Sequence, residues 1–194
     1  MNDDDYRDAD LSGQSWEDQH FENVDFTDAD MRGLVTKGCT FDHCDFTRVD
    51  LGESKHKTSA FRSCKFERTS LMHAEFRGCT LLGATFHECR FRPLTITDTD
   101  LTLASLGGAN LRAIALSGLR LREANLTGAD LRDCDLTDTD LTGARLMEVK
   151  LSGADLRGAR IDANGLRQAT LTGAKVDIDT AIAFAAAHGL QLGD

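Results

Sequence analysis

Proline is almost absent from this sequence, which has a single residue of it, Pro93, in 194. Aromatic residues make up only 6% of the chain. No apolar run approaches the ~20 residues that a membrane-spanning helix needs, so we expect no membrane segment. The first residues, Met-Asn-Asp-Asp-Asp-Tyr-Arg-Asp, contain no apolar stretch and do not look like a signal peptide. We therefore expect a cytoplasmic protein whose cysteines are reduced.

What the sequence does contain is a period of five. From Leu11 to Val176 a large apolar residue occupies every fifth position, 34 times in one register, with Thr36 and His56 as the two exceptions. The residue two places earlier is usually small, and all six cysteines occupy that position. A period of five matches neither a strand nor a helix. Each unit therefore turns two side chains inward, and such units bury their apolar faces by winding into stacked coils.

The unit is clear at residues 124–133, Ala-Asn-Leu-Thr-Gly-Ala-Asp-Leu-Arg-Asp. It resembles the repeat of the pentapeptide-repeat family, roughly Ala-Asp/Asn-Leu-X-X. The resemblance covers residues 9–177 and implies an all-β solenoid, a right-handed quadrilateral β-helix with four units in each coil. We accordingly divide the chain into an acidic N-terminal segment (1–8), the β-helix (9–177) and a C-terminal helix and tail (178–194). Coils about 4.8 Å apart would give a rod roughly 40 Å long.

Four units per coil would stack residues that are 20 apart, and this predicts columns of side chains inside the rod. One column changes from phenylalanine to leucine: Phe26, Phe46, Phe66, Phe86, Leu106, Leu126, Leu146 and Leu166. Pro93 lies near that change, and we predict a kink or a cis peptide bond at Arg92–Pro93. Thr36 and His56 fall in one column, so we expect them to be adjacent and hydrogen-bonded, as buried polar groups usually are.

Motifs for metal binding and catalysis are missing. Cys44 and Cys64 would stack closely enough for a disulfide, yet both are expected to point inward as small apolar residues. The cysteines lack the paired spacing of zinc sites, and the sequence has no glycine-rich phosphate loop or nucleophile motif. An uninterrupted repeat also leaves no insertion from which a cleft could be built. We expect no disulfide, metal or cofactor, and no enzymatic activity.

Charge is distributed unevenly along the chain, whose net charge is −10. Residues 1–30 carry 11 acids and one base, whereas residues 31–97 carry 7 acids and 11 bases. Five aspartates then cluster at residues 130–140 on outward positions of one coil, where they form an acidic girdle. Opposite them we expect a basic ladder of Arg92, Arg112 and Arg132. Outer charges on a solenoid can serve solubility alone, but the clustering favours a binding surface.

The period stops after Val176, and residues 178–190 have the pattern of a short helix. Asp179 or Thr180 would be its N-cap, and Gly189 would end it. A helix here would cover the exposed strand edge of the last coil. The apolar residues exceed what a cap needs, so we predict a homodimer contact through this end. Its expected residues are Val176, Ile178, Ile182, Phe184, Leu190 and Leu192.

Further features resemble the fluoroquinolone-resistance (Qnr-like) members of the family: the core that changes from Phe to Leu, Phe-Arg-Pro-Leu at 91–94, and Ala-Ile-Ala-Phe-Ala-Ala-Ala-His-Gly-Leu at 181–190. The resemblance implies a DNA mimic that binds DNA gyrase, modulates or inhibits its supercoiling activity and protects it from fluoroquinolones. It implies neither direct nucleic-acid binding nor membrane association. The residues expected to take the place of phosphates are the girdle aspartates Asp130, Asp133, Asp135, Asp138 and Asp140, supported by Asp98, Asp100, Glu123 and Asp155.

A second hypothesis belongs to a different functional class. The rod could be a generic interaction scaffold that is not directed at a topoisomerase, with the basic ladder of Arg92, Arg112 and Arg132 docking an acidic partner. A supercoiling assay with purified gyrase separates the two hypotheses.

Overall fold

The large apolar residues of the five-residue units all contribute to one interior in the computed structural model, which describes residues 6–191. The chain winds into stacked coils in which strands pair in parallel with chain segments 20 residues away, as in Phe21↔Phe41 and Phe41↔Phe61. This register and the five-residue unit give four faces per coil. The prediction of a β-solenoid with a short C-terminal helix is confirmed.

Ten strands of three residues each are present in the N-terminal half. They are β1 (Ser15–Glu17), β2 (His20–Glu22), β3 (Val35–Lys37), β4 (Thr40–Asp42), β5 (Lys55–Lys57), β6 (Ala60–Arg62), β7 (Lys65–Glu67), β8 (Glu75–Arg77), β9 (Thr85–His87) and β10 (Thr95–Thr97). They form three sheets, ordered β1-β3-β5-β8-β10, β2-β4-β6 and β7-β9. From residue 100 onward the ladders continue as isolated bridges, such as Asp100↔Arg120 and Asp155↔Lys175.

The corners between faces depend on left-handed backbone conformation two residues after the central apolar residue. At one such corner Gly128 has φ 67°, and the amide of Ala129 donates to the carbonyl of Leu126 over 3.0 Å. This is the geometry of a type II turn, which requires a positive φ at its third residue. Glycine fits this position because it has no Cβ to crowd the backbone. The recurrence of glycine in the repeat therefore follows from the corner.

Aromatic rings stack along the interior as the columns predict. The Phe26, Phe46, Phe66 and Phe86 rings follow one another at centroid separations of 5.1, 4.9 and 4.8 Å. The leucines that continue this column are almost fully buried. Where phenylalanine gives way to leucine, an apolar void of about 30 Å³ remains, with Phe86, Phe91 and Leu106 among its lining residues. The predicted cis peptide bond at Arg92–Pro93 is also present.

The two polar exceptions in the interior form a hydrogen-bonded group, as predicted. Thr36 Oγ1 lies 2.8 Å from His56 Nδ1 and 3.0 Å from Ser59 Oγ. His56 Nε2 lies 2.9 Å from Ser54 Oγ, whose hydroxyl donates to the carbonyl of Leu51. Because that hydroxyl proton is already used, Nε2 must donate and Nδ1 must accept from Thr36. These contacts fix a neutral imidazole inside the rod.

The last coil departs from the regular unit. A 3-10 helix, Ala163–Gln168, forms one of its faces, and Asp162 caps it by accepting from the amide of Asn164 over 2.9 Å. Leu166 within this helix is still 1% exposed, so the apolar register continues through it. The α-helix α1 follows at Ile178–Ala187. Its N-cap is Asp177, so the sequence-based choice of Asp179 or Thr180 was two to three residues late.

Candidate interaction surface

The acidic residues predicted to contact a partner occupy two kinds of position on the rod. Five of them directly precede a central leucine: Asp100, Asp130, Asp135, Asp140 and Asp155. Each of these carboxylates accepts the backbone amide two residues later, at donor–acceptor distances from 2.9 to 3.3 Å. Such Asx turns are a local structural role that aspartate serves well. These five residues therefore help to build the corners, whatever else they bind.

Four of those five carboxylates are also neutralised by arginines or lysine of the same chain. Asp130 pairs with Arg132 at 2.6 Å and Asp155 pairs with Arg157 at 2.6 Å. Two further pairs join successive coils: Asp100 with Arg120 at 3.1 Å and Asp140 with Arg160 at 3.8 Å. Asp140 is only 5% exposed and also lies 3.6 Å from Arg122, while Lys175 lies 3.7 Å from Asp155.

These pairs keep the carboxylates charged. Hydrogen bonds from Arg132 lower the pKa of Asp130, and those from Arg157 lower the pKa of Asp155 to about 2. An opposite charge and donated hydrogen bonds both favour the ionised form. Both residues are thus anionic at neutral pH, but a neighbouring cation offsets much of the field that they present to solvent.

The other four predicted residues lie on corners, in the left-handed region. Asp98, Glu123, Asp133 and Asp138 have φ values of 51°, 55°, 60° and 57°. Asp133 pairs with Arg112 at 2.8 Å. Among residues 6–191, no cation lies within 4.0 Å of the carboxylates of Asp98, Glu123 or Asp138, nor of Asp135. We call these four residues, Asp98, Glu123, Asp135 and Asp138, the free carboxylates.

The predicted opposition of an acidic girdle and a basic ladder is wrong. Arg132 binds Asp130 on its own face, and Arg112 binds Asp133 on the next coil. Two members of the ladder are therefore part of the girdle, because a residue two places after the aspartate lies on the same face. The neutralising cations could have been found in the sequence, since an arginine follows two residues after Asp130 and Asp155 and 20 residues after Asp100 and Asp140.

The C-terminal residues predicted to form a dimer contact divide into two groups. Val176 and Phe184 are partly buried against the core, so they cover the last coil. Ile178, Ile182 and Leu190 remain 78%, 41% and 64% exposed. Leu192 lies outside the described residues. The helix therefore presents an apolar surface in addition to the one that it uses as a cap.

The cysteines and the potential metal ligands give no sign of a reactive centre. All six cysteines are free thiols, and several of their Sγ atoms donate to backbone carbonyls of the preceding coil, as Cys64 does to Phe41. In the part of the chain from 6 to 191, no group of three or more His, Cys, Asp or Glu side chains is arranged to hold a metal ion. In the same part, no helix is long and apolar enough to cross a bilayer.

Comparison with known families supports the repeat architecture. The family profile described as the pentapeptide repeat region matches residues 1–76 and 69–146. This chain is a pentapeptide-repeat protein. Over 124 residues, which are 64% of this chain and 68% of the relative, the sequence is 65% identical to the pentapeptide repeat protein MfpA of Mycobacterium tuberculosis.

Solved structures of other pentapeptide-repeat proteins have the same form. The rod superimposes on QnrB1, a plasmid-mediated fluoroquinolone resistance protein, with a TM-score of 0.82 and 26% identity. That superposition covers 94% of this chain and 92% of QnrB1. HetL of Nostoc, a pentapeptide repeat protein involved in regulating heterocyst differentiation, shares the fold at a TM-score of 0.53 and 23% identity, over 87% of this chain and 86% of HetL.

Proposed function

We propose that this pentapeptide-repeat protein binds DNA gyrase as a mimic of duplex DNA, modulates or inhibits supercoiling, and protects the enzyme from fluoroquinolones. The observation that carries the proposal is the similarity along nearly the whole rod to QnrB1, a fluoroquinolone resistance protein. The 65% identity to the pentapeptide repeat protein MfpA also supports the proposal. The function requires binding and no catalysis, and a partner of this kind places the protein in the cytoplasm.

The shape and the charge of the rod suit a groove that normally holds DNA. Stacked coils repeat outward positions every 4.8 Å or so, and DNA carries one charge per ~1.7 Å of its axis. The net charge of −10 is too low to match that density along the whole rod. The mimicry is therefore local, and the free carboxylates Asp98, Glu123, Asp135 and Asp138 are its strongest candidates, because no cation among residues 6–191 lies within 4.0 Å of them.

The paired aspartates have a different role in this proposal. Asp100, Asp130, Asp133, Asp140 and Asp155 stiffen the surface through Asx turns or ion pairs. A partner would have to compete with arginines that already bind them. We expect their contribution to binding to be smaller than that of the free carboxylates, although the sequence analysis ranked Asp130, Asp133 and Asp140 above Asp98 and Glu123.

Matched neutralising variants test this division. The first combines Asp98→Asn, Asp135→Asn and Asp138→Asn, and the second combines Asp100→Asn, Asp130→Asn and Asp155→Asn. Each removes three charges, and asparagine retains a side-chain oxygen for the Asx turn. In a supercoiling assay with purified gyrase, with and without a fluoroquinolone, we expect the first variant to inhibit and protect about tenfold less well, a loss of ~1.4 kcal/mol. The second should change potency by less than about threefold.

The wild-type assay also tests the proposal as a whole. Binding through carboxylates should weaken as salt is raised, since exposed charges are screened within ~8 Å at physiological ionic strength. If the wild-type protein neither inhibits gyrase nor protects it from the drug at low salt, the proposed function is wrong. If the two triple variants lose potency equally, the division between free and paired carboxylates is wrong.

We also propose that the protein is a homodimer joined at its C-terminal ends. The support is the exposed apolar surface of Ile178, Ile182 and Leu190, which adjoins the cap formed by Val176 and Phe184. Exposed apolar clusters of this kind mark interaction sites. Two rods joined end to end would be roughly 80 Å long at the coil spacing of ~4.8 Å. Such a length would let one dimer lie across a groove made for a DNA duplex.

A further inference from the structure

Leu103 occupies a corner position that does not favour it. Its φ is 61°, in the left-handed region where the Cβ of an ordinary residue crowds the backbone. Thirteen described glycines and 19 other residues have a positive φ, and Leu103 is the one large apolar residue among those 19. Its side chain is 54% exposed, so burial does not compensate for this conformation. A bulky residue at positive φ is a genuine outlier that calls for an explanation.

A second exposed leucine lies beside it on the preceding coil. The amide of Gly83 donates to the carbonyl of Thr102 over 3.0 Å, which places residues 82 and 83 next to residues 102 and 103. Leu82 is 37% exposed. Gly83 is the corner residue stacked against Leu103 and has no side chain to cover it. The two leucines therefore form an apolar spot at one corner of the rod.

The face that ends at this corner carries three of the four free carboxylates along its two edges. Glu123 follows Leu103 on the same corner, since the amide of Leu103 donates to the carbonyl of Arg122 over 2.9 Å. Asp98 and Asp138 lie on the corner at the other edge, two coils apart. We call the surface between these two corners the Leu103 face. Between the corners, Arg120 and Arg122 pair with Asp100 and Asp140, so the unpaired charges of this face are the carboxylates at its edges.

We infer that the Leu103 face is the side of the rod that docks on the partner, with Leu103 inserted into an apolar socket on a basic protein surface. The inference rests on the proposed function and adds to it the side of contact and its anchor residue. Charge complementarity identifies the occupant. The carboxylates at both edges favour a partner with a basic surface, which excludes a nucleic acid because its phosphates are negatively charged. The exposed leucines favour a protein, because a phosphate backbone has no apolar pocket to receive them. Interfaces of this type place an apolar anchor in a pocket within a polar rim.

The test compares two substitutions of equally exposed apolar side chains. Leu103→Asn removes the anchor and places at the corner a residue that tolerates left-handed backbone. Met147→Thr is the matched control, because Met147 is also 54% exposed but lies on a different face. The measurement is the concentration of each variant that halves supercoiling by purified DNA gyrase holoenzyme, with thermal unfolding measured on the same preparations.

We expect about tenfold more Leu103→Asn protein to be needed for the same inhibition, because the variant loses the free energy of burying the exposed half of the leucine side chain in the interface. Its Tm should not be lower than that of the wild type. Met147→Thr should remain within about twofold of the wild type. The dependence of inhibition on salt should keep its slope in Leu103→Asn, because no charge is removed, and become shallower in Asp98→Asn/Asp138→Asn. Leu103→Gly, which also relieves the backbone, should behave like Leu103→Asn.

Three outcomes would overturn the inference. If the wild type inhibits gyrase and Leu103→Asn is equally potent, the anchor is wrong while the proposed function stands. If Met147→Thr loses as much potency as Leu103→Asn, exposed apolar residues on any face contribute to inhibition, and the Leu103 face is not the docking side. If the wild type has no effect on gyrase, the proposed function fails and the inference fails with it.

Discussion

At the scale of single residues, His56 is the side chain whose charge state matters most to the fold. It is 2% exposed, and both of its ring nitrogens are engaged by hydroxyl groups of Thr36 and Ser54. Burial lowers the pKa of His56 to about 3, whereas a histidine in an unfolded chain titrates near 6.5. The unfolded state therefore binds a proton before the folded state does as the pH falls.

This difference predicts a loss of stability on acidification. Between pH 6.5 and pH 5 the free energy of unfolding should fall by about 1.5 kcal/mol, because only the unfolded chain gains the proton. Above about pH 7.5 both states hold the imidazole neutral and the dependence disappears. His56→Phe, which matches the Phe76 ring stacked beside it, should remove the slope in this window. Urea unfolding of both proteins at the two pH values measures it, and equal slopes would contradict the assignment.

At the scale of elements, the rod consists of two stacks with different cores. Phe46 lies between two parallel rings, Phe26 at 5.1 Å and Phe66 at 4.9 Å. Phe86 ends the column, with Phe66 stacked on one side at 4.8 Å and the void of about 30 Å³ near it. Stacked rings contribute about 0.5–1.5 kcal/mol per pair beyond their burial. Replacing a phenylalanine should therefore lower the free energy of unfolding most in the middle of the column and least at its end.

Phe46→Leu and Phe86→Leu form a matched pair for this expectation. Both remove the same atoms from the same column, but the first breaks two stacked pairs and the second breaks one. We expect Phe46→Leu to destabilise the rod by about 1 kcal/mol more than Phe86→Leu. The measurement is the free energy of unfolding in urea at neutral pH. Equal losses would show that ring stacking adds nothing to the burial of these side chains.

The elements also show what the sequence can and cannot predict. The period of five predicted the solenoid. Together with the four units per coil that the family resemblance implies, it also predicted the interior columns and the contact between Thr36 and His56. The 3-10 helix at Ala163–Gln168 was not predicted, since Leu166 keeps the register while the backbone around it changes. Which carboxylates are free was also not predicted, although the sequence places an arginine two or 20 residues after Asp100, Asp130, Asp140 and Asp155.

At the scale of the whole molecule, the C-terminal end of the rod is the candidate site of self-association. The C-terminal end is covered by α1, whose Phe184 packs on the core while Ile178 and Ile182 face solvent. Neighbouring exposed apolar residues on a capping helix mark an interaction site. Joining two copies there would extend one continuous rod, and by two-fold symmetry that rod would carry two Leu103 faces.

Ile178→Asp combined with Ile182→Asp should therefore separate the dimer. Two like charges on each helix would be buried against two more, which a dimer contact does not tolerate. We expect the molar mass by light scattering to fall from twice 21.2 kDa to 21.2 kDa, and the length by X-ray scattering to halve from roughly 80 Å. Leu82→Thr, a change on the β-helix away from this end, should leave both values unchanged. A wild-type mass of 21.2 kDa would refute the dimer, whereas a separated dimer that inhibits gyrase as strongly as the wild type would show that one rod is enough.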